Sequence, residues 1–321
     1  MSDAPFRFGV QAFAADSGTE WTELARTAED LGYSCLSVAD HYFGPGQALT
    51  EANHPVQNLA AIPAMAAAAA VTDRILIGSR VLCVDYHQPV VLAKSLATID
   101  VLSGGRLEAG LGAGWITSEY QAMGIPMDRA GVRIDRLVEY VELVRSFFAG
   151  DELAQHGDHV SVSAMTAVPA AVQPGGPRVM IGGGSPRVLR TAGRLADIVS
   201  INFDNSAGKI GARGIGSGTP SGTADKIGWI HEGAADRAAD LGPIELEIGA
   251  YFTAVVPDAA GAGAREKMGA AFGMSGDDVA AYPHALVGSV DEICETLVAR
   301  RNDHGISYVT VGAATMADFA P

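Results

Sequence analysis

Residues 34 to 43, "SCLSVADHYF", form an apolar run that ends abruptly in an acid and an imidazole, Asp40 and His41. Histidine is the side chain best suited to exchange a proton near neutral pH. A histidine at a strand end can equally do no more than cap a loop. Asp40 beside it could orient a ring or a ligand, or cap the next turn. Two glycine-rich turns carry a second kind of chemistry. "GLGAGW" (110 to 115) places Gly110, Gly112 and Gly114 at alternate positions, which lets a flat ligand or a phosphate come close to the backbone. "IGGGSPRVL" (181 to 189) sets Gly182, Gly183 and Gly184 before Ser185 and Pro186 at a helix start. Free N–H groups at such a helix N-terminus suit a phosphate. An ordinary serine cap would give the same letters. "HGDH" (156 to 159) has two histidines and an acid, but no partner cluster accompanies it, and no metal site is expected. Glu119, Arg129, Arg133 and Arg136 surround the start of a helix, where the three arginines read as a solvated face. Nucleophile-elbow, phosphate-loop and paired-cysteine motifs are missing.

These residues need elements to hold them, and strand-like and helix-like patterns alternate along the whole chain. Strands are expected at 7–13, 35–40, 75–82, 106–112, 178–183, 197–203, 244–256 and 306–312. Helices are expected at 20–33, 57–72, 89–103, 131–150, 185–196, near 222–241, near 261–281 and at 290–305. Eight such units in 321 residues call for a (β/α)8 TIM barrel, here read as one domain over 1–321 with insertions near 43–56, 151–177 and 204–222. A doubly wound sheet is the alternative, but its Gly-rich turn after the first strand is absent. The segments 43–56 and 204–222 follow strands two and six, on the C-terminal rim where barrel enzymes keep their chemistry. The second could order over a ligand as a lid.

Composition narrows the partners. Hydrophobic residues make up 48% and charged residues 18%, as a core-rich globular chain requires. A net charge of −15 opposes binding to nucleic acid or anionic lipid. Three scattered cysteines, Cys35, Cys83 and Cys294, fit no disulfide framework and suit a reducing cytoplasm. "MSDAPFRFGV" does not read as a signal peptide, and the apolar stretch 59 to 71 is too short to span a bilayer.

The blocks "AEDLGYSCLSVADHYF", "LAKSLATIDVLSGGRLEAGLGAGWITSEYQAMG", "IGGGSPRVLRTAGRLADIVSIN" and "GSVDEICETL" together resemble the luciferase-like monooxygenase superfamily. More narrowly they are similar to its branch of oxidoreductases that use the deazaflavin coenzyme F420. The resemblance implies a bacterial luciferase-like barrel that transfers a hydride between the deazaflavin and a small organic substrate. It further implies a homodimer. It assigns the phosphate to the backbone of Gly183, Gly184 and Ser185, with Gly182 allowing the approach. Gly112, Ala113 and Gly114 would lie along the cofactor's side chain, Asp40 at the ring edge, and a cis peptide Arg80–Val81 behind the ring. His41 would be the proton acceptor. Related sugar-phosphate dehydrogenases carry a glutamate where this chain has Trp115, so a sugar-phosphate substrate is in doubt and Glu119 is the nearest acid. Trp115 would either pack beneath the rim or wall the substrate space. Two other readings stay open: an FMN-dependent monooxygenase using reduced flavin and oxygen, and a flavin-binding protein without turnover.

Overall fold

The computed structural model describes residues 5–320. Eight strands, β1 (Arg7–Ala12), β2 (Cys35–Val38), β3 (Leu76–Ser79), β4 (Leu107–Gly112), β5 (Arg178–Gly183), β6 (Ile198–Ile201), β7 (Glu245–Ala250) and β8 (Ile306–Gly312), form one parallel sheet. Its order is β3-β2-β1-β8-β7-β6-β5-β4, and pairing of Ile77 with Leu107 joins the two ends into a closed barrel. The fold is therefore the (β/α)8 barrel. Strands buried on both faces explain the continuous apolar runs in the sequence.

The helices follow from local chemistry. α1 (Gly18–Asp30) starts where Ser17 accepts the Glu20 N–H, and it turns Trp21, Ala25 and Ala28 inward. α2 (Ala61–Ala69) is the buried alanine-rich helix. α3 (Pro89–Leu102) begins with proline at its first turn. α4 (Ala130–Ala149) stops at Gly150, whose φ of +78° suits glycine. α5 (Pro186–Leu195), α6 (Pro220–Ala234) and α7 (Gly261–Phe272) come next. α8 (Val290–His304) opens with a reciprocal Ser289–Glu292 capping box. Among the described residues no helix is long and apolar enough to cross a membrane.

Paired charges help close the barrel floor. Arg7 donates to Glu108 (2.8 Å) and Glu245 (2.6 Å), Arg178 donates to Glu245 (2.6 Å), and Tyr308 Oη donates to Glu108 (3.0 Å). A second layer is built from Arg80, whose Nε lies 3.0 Å from both carboxylate oxygens of Glu247 and whose Nη1 donates to Gln11 (2.9 Å). Buried charges persist only when paired in this way.

All three insertions are structured. Segment 43–56 contains a short helix, Gln47–Ala52. Segment 151–177 holds an antiparallel hairpin, Glu152–His156 with Ser161–Thr166. The Glu139 carboxylate of α4 anchors its turn by accepting the N–H groups of Asp158, His159 and Val160. Segment 204–222 crosses the mouth. Gly208 O accepts the Thr117 N–H (3.1 Å), Ile210 N–H donates to Ala52 O (3.0 Å), and the buried Lys226 ammonium of α6 donates to Ser217 O (2.8 Å).

Several expected boundaries move. The strand expected over 244–256 breaks at Tyr251; its second half, Phe252–Val255, leaves the barrel and pairs with Ala285–Gly288. The strand expected over 75–82 is interrupted at Arg80–Val81 and resumes as Leu82–Cys83. The expected helix 57–72 shortens to α2, the expected 222–241 ends at Ala234, and 261–281 splits into α7 and Gly276–Ala281.

His284 ties the outlying strand pair to the barrel. Its Nδ1–H donates to Gly249 O (2.9 Å), and its ring stacks on Tyr251 and lies 4.4 Å from Phe203. Complete burial lowers its pKa from 6.5 to about 3, against the bond to Gly249 and aided by the positive charges of Lys226, Arg80 and Arg300. An unfolded chain takes up this proton as pH falls through 6.5, while the folded chain refuses it until about pH 3. Stability is thus lost as pH falls across that window. Chemical denaturation between pH 7 and 4 should show a slope shallower by about one proton in His284→Phe than in the parent. Identical slopes would remove His284 from the acid response.

Candidate active site

The C-terminal ends of the strands surround a cavity of about 730 Å³. Asp40, His41, Arg80, Val81, Gly112, Ala113, Gly114, Trp115, Glu119, Gly182, Gly183, Gly184 and Ser185 all line it. The barrel brings the imidazole and the triple-glycine turn to one space.

Asp40 and His41 are neighbours in sequence with separate partners. His41 Nδ1–H donates to Glu119 Oε2 (2.8 Å), from a residue 78 positions away. The same carboxylate accepts the Tyr42 N–H (2.6 Å) and the Tyr86 hydroxyl (3.0 Å), and Glu119 is 0% exposed. Burial, together with nearby acidic groups including Glu119, holds the Tyr86 hydroxyl well above its usual range, so it stays a donor. With Nδ1 engaged, Nε2 of His41 is the ring nitrogen left for a ligand. Asp40, 2% exposed, accepts the Cys83 N–H (3.0 Å) and His87 Nε2–H (2.7 Å) through Oδ2. Its Oδ1 is buried without a protein partner.

Glu119 reaches His41 because the short helix Thr117–Met123 docks on the Gln47–Ala52 helix, where Ser118 Oγ donates to Ala48 O (2.8 Å). Tyr120 on the same helix donates to Asp85 (2.8 Å). Arg136 pairs with Asp85 (2.7 Å) and Asp128 (2.5 Å). Arg133 is buried and donates to Ala113 O (3.0 Å) and Gly114 O (3.3 Å). Arg133 and Arg136 are therefore not the solvated helix face expected from sequence. They bind backbone and acids under the rim.

Packing places its own demand on the glycines. At Gly114, with φ of +71°, a Cβ would stand 1.9 Å from the Tyr120 hydroxyl. At Gly184 it would stand 2.0 Å from Phe203 O. The chain's own packing demands glycine at both places. The Arg80–Val81 peptide is cis, and the Val81 side chain occupies the space left bare by Gly110, Gly112 and Gly182.

Ser185 precedes α5 in extended conformation and makes no side-chain cap bond. The first-turn N–H groups of α5 are thus not satisfied from the serine side. Trp115 is half-buried, packs with Phe43, Ala52 and Ile116, and also lines the cavity.

His54 escaped sequence reasoning. Its ring lies 4.2 Å from that of His41, 5.7 Å from Phe13 and 6.0 Å from Trp115. Burial, then the neighbouring His41, lowers its pKa from 6.5 to about 4. Its only sequence signal was a place in the rim loop 43–56. Tyr86 and His87, in the loop after β3, left no signal beyond their types.

A sequence model of luciferase-like monooxygenases matches residues 4–289. An F420-dependent glucose-6-phosphate dehydrogenase of Nakamurella multipartita is 30% identical over 213 residues, 65% of this chain and 58% of that protein. The coenzyme F420-dependent tetrahydromethanopterin reductase of Methanopyrus kandleri superposes with a TM-score of 0.71 at 20% identity, covering 97% of this chain and 94% of the other. A monooxygenase from Streptomyces bottropensis gives 0.73 at 24%, covering 98% and 97%. At those identities the two structures establish the fold alone. With the match spanning most of its length, this chain belongs to the luciferase-like monooxygenase family.

Proposed function

We propose that this protein is a coenzyme F420-dependent oxidoreductase that transfers a hydride between the deazaflavin and a small organic substrate. The observation that carries the reading is one cavity holding both a buried Glu119–His41 pair and an uncapped glycine-rich helix start. The similarity to an F420-dependent dehydrogenase adds to it.

The residues present fit such a cofactor. Ser185, Gly184 and the open turn of α5 offer N–H donors to a phosphate. Asp40 and Arg80 line the cavity, and each keeps one buried polar atom, Oδ1 and Nη2, without a protein hydrogen-bond partner. The deazaflavin, when bound, supplies two-electron hydride chemistry. The protein supplies binding, orientation and proton handling. Glu119 fixes the ring of His41 with the proton on Nδ1, so Nε2 faces the reacting space as a proton acceptor or, once protonated, a donor. The carboxylate balances the imidazolium that forms. Strap 204–222 and the aromatic side chains around His54 exclude water.

Titration with coenzyme F420 and with FMN, each followed by its own fluorescence, tests the cofactor. Saturation by the deazaflavin at concentrations where FMN stays free supports the reading; the reverse overturns it in favour of a flavin monooxygenase. His41→Ala should lower turnover by about 10²–10⁴-fold. Glu119→Gln should lower kcat by about 10²-fold with KM little changed. An unchanged kcat in Glu119→Gln would reduce Glu119 to a structural role.

A further inference from the structure

The cavity is polarised. Three arginines and no lysine line it. The charge of Arg80 is taken up by Glu247 at the floor. Arg129 and Arg133 stand at the start of α4, where Arg133 grips the carbonyls of Ala113 and Gly114. Arg187 of α5 reaches the same helix, where it pairs with Asp135 (2.6 Å), and a Cβ on Gly131 would lie 2.3 Å from its guanidinium. Cations therefore gather at the end that also holds the open turn of α5. Away from that end, aromatic side chains gather: Phe13, His54 and Trp115 from the loops after β1, β2 and β4, with Phe252 and Phe272, 4.6 Å apart, from beyond β7.

His54 brings a polar atom into that aromatic group, beside the His41 ring 4.2 Å away. Nδ1 of His54 lies 2.8 Å from Pro55 O, which can only accept, so Nδ1 carries the ring proton. Nε2 is then a lone-pair acceptor inside an aromatic surround. A ligand with a formal negative charge would shed its hydration here and meet no unpaired cation. A ligand with no donor would leave Nε2 unsatisfied.

We propose that the aromatic end takes an uncharged, ring-bearing substrate that carries a hydroxyl or N–H group and donates it to Nε2 of His54. Phosphorylated sugars and carboxylates are excluded by charge. The proposal rests on reading the Ser185 end as the cofactor's, and it names the substrate class for that same site.

Benzyl alcohol, benzyl phosphate, benzoate and toluene are probes that share one ring and differ in charge and donor. Binding to the F420-loaded protein is measured by calorimetry and by quenching of Trp115 fluorescence, with Trp115→Phe as the optical control. Loading is read separately by deazaflavin fluorescence. A failure to load counts against the cofactor reading alone, and the same titrations then run on the cofactor-free protein in phosphate buffer. Benzyl alcohol should bind at least about tenfold tighter than benzyl phosphate or benzoate. His54→Phe should weaken the alcohol by about three- to tenfold without weakening toluene. His54→Gln, which keeps an acceptor, should restore part of the loss. Equal or tighter binding of either anion overturns the proposal. So does an alcohol-to-toluene ratio unchanged in His54→Phe, or a failure of every probe to bind.

Discussion

A carboxylate with no contact to solvent holds the site together. Glu119 accepts three hydrogen bonds, from the His41 ring, the Tyr42 backbone and the Tyr86 hydroxyl. Each bond to a charged group contributes about 1.5–3 kcal/mol, and breaking one would leave the carboxylate uncompensated in a dry environment. Three rim segments are thereby fixed relative to one another. The loop after β2, the turn after β3 and the short helix after β4 cannot move independently while that acid is satisfied.

The scaffold beneath makes this arrangement affordable. Paired charges fill the barrel floor: the Arg7–Glu108–Glu245 layer lies below the Arg80–Glu247–Gln11 layer. Val81 then fills the gap left by glycines on β4 and β5. Space for a ligand opens only above that plug, between two sets of loops with opposite character. One set presents cations and helix N–H groups. The other presents aromatic rings. The strap 204–222 crosses the mouth and is tied to Thr117 and Ala52.

Much of the barrel was legible in the sequence. Parallel strands buried on both faces give apolar runs, and glycine or proline punctuates the helices between them. The rim position of Asp40 and His41 followed from counting units. What could not be read depends on contacts distant in sequence. Nothing in Glu119 itself indicates that it lies against a histidine 78 residues away. The break at Tyr251 is hidden because 244–256 reads as one strand-forming run with no glycine–proline or turn cluster at that point. Arg133 and Arg136 look like any solvated helix face until the neighbouring carbonyls and acids are in place. The glycines were read as room for a ligand; Tyr120, Val81 and Phe203 also stand where side chains at Gly114, Gly112 and Gly184 would go, a packing demand that the letters alone do not show.

A crystal structure of the protein with coenzyme F420 bound tests the central claim most directly. The account predicts the phosphate within about 3 Å of the backbone N–H groups at Gly184 and Ser185, with the ring system reaching toward His41 Nε2 while Nδ1 stays on Glu119. A phosphate seated away from the start of α5, or a ring separated from His41 by the aromatic wall, would contradict it.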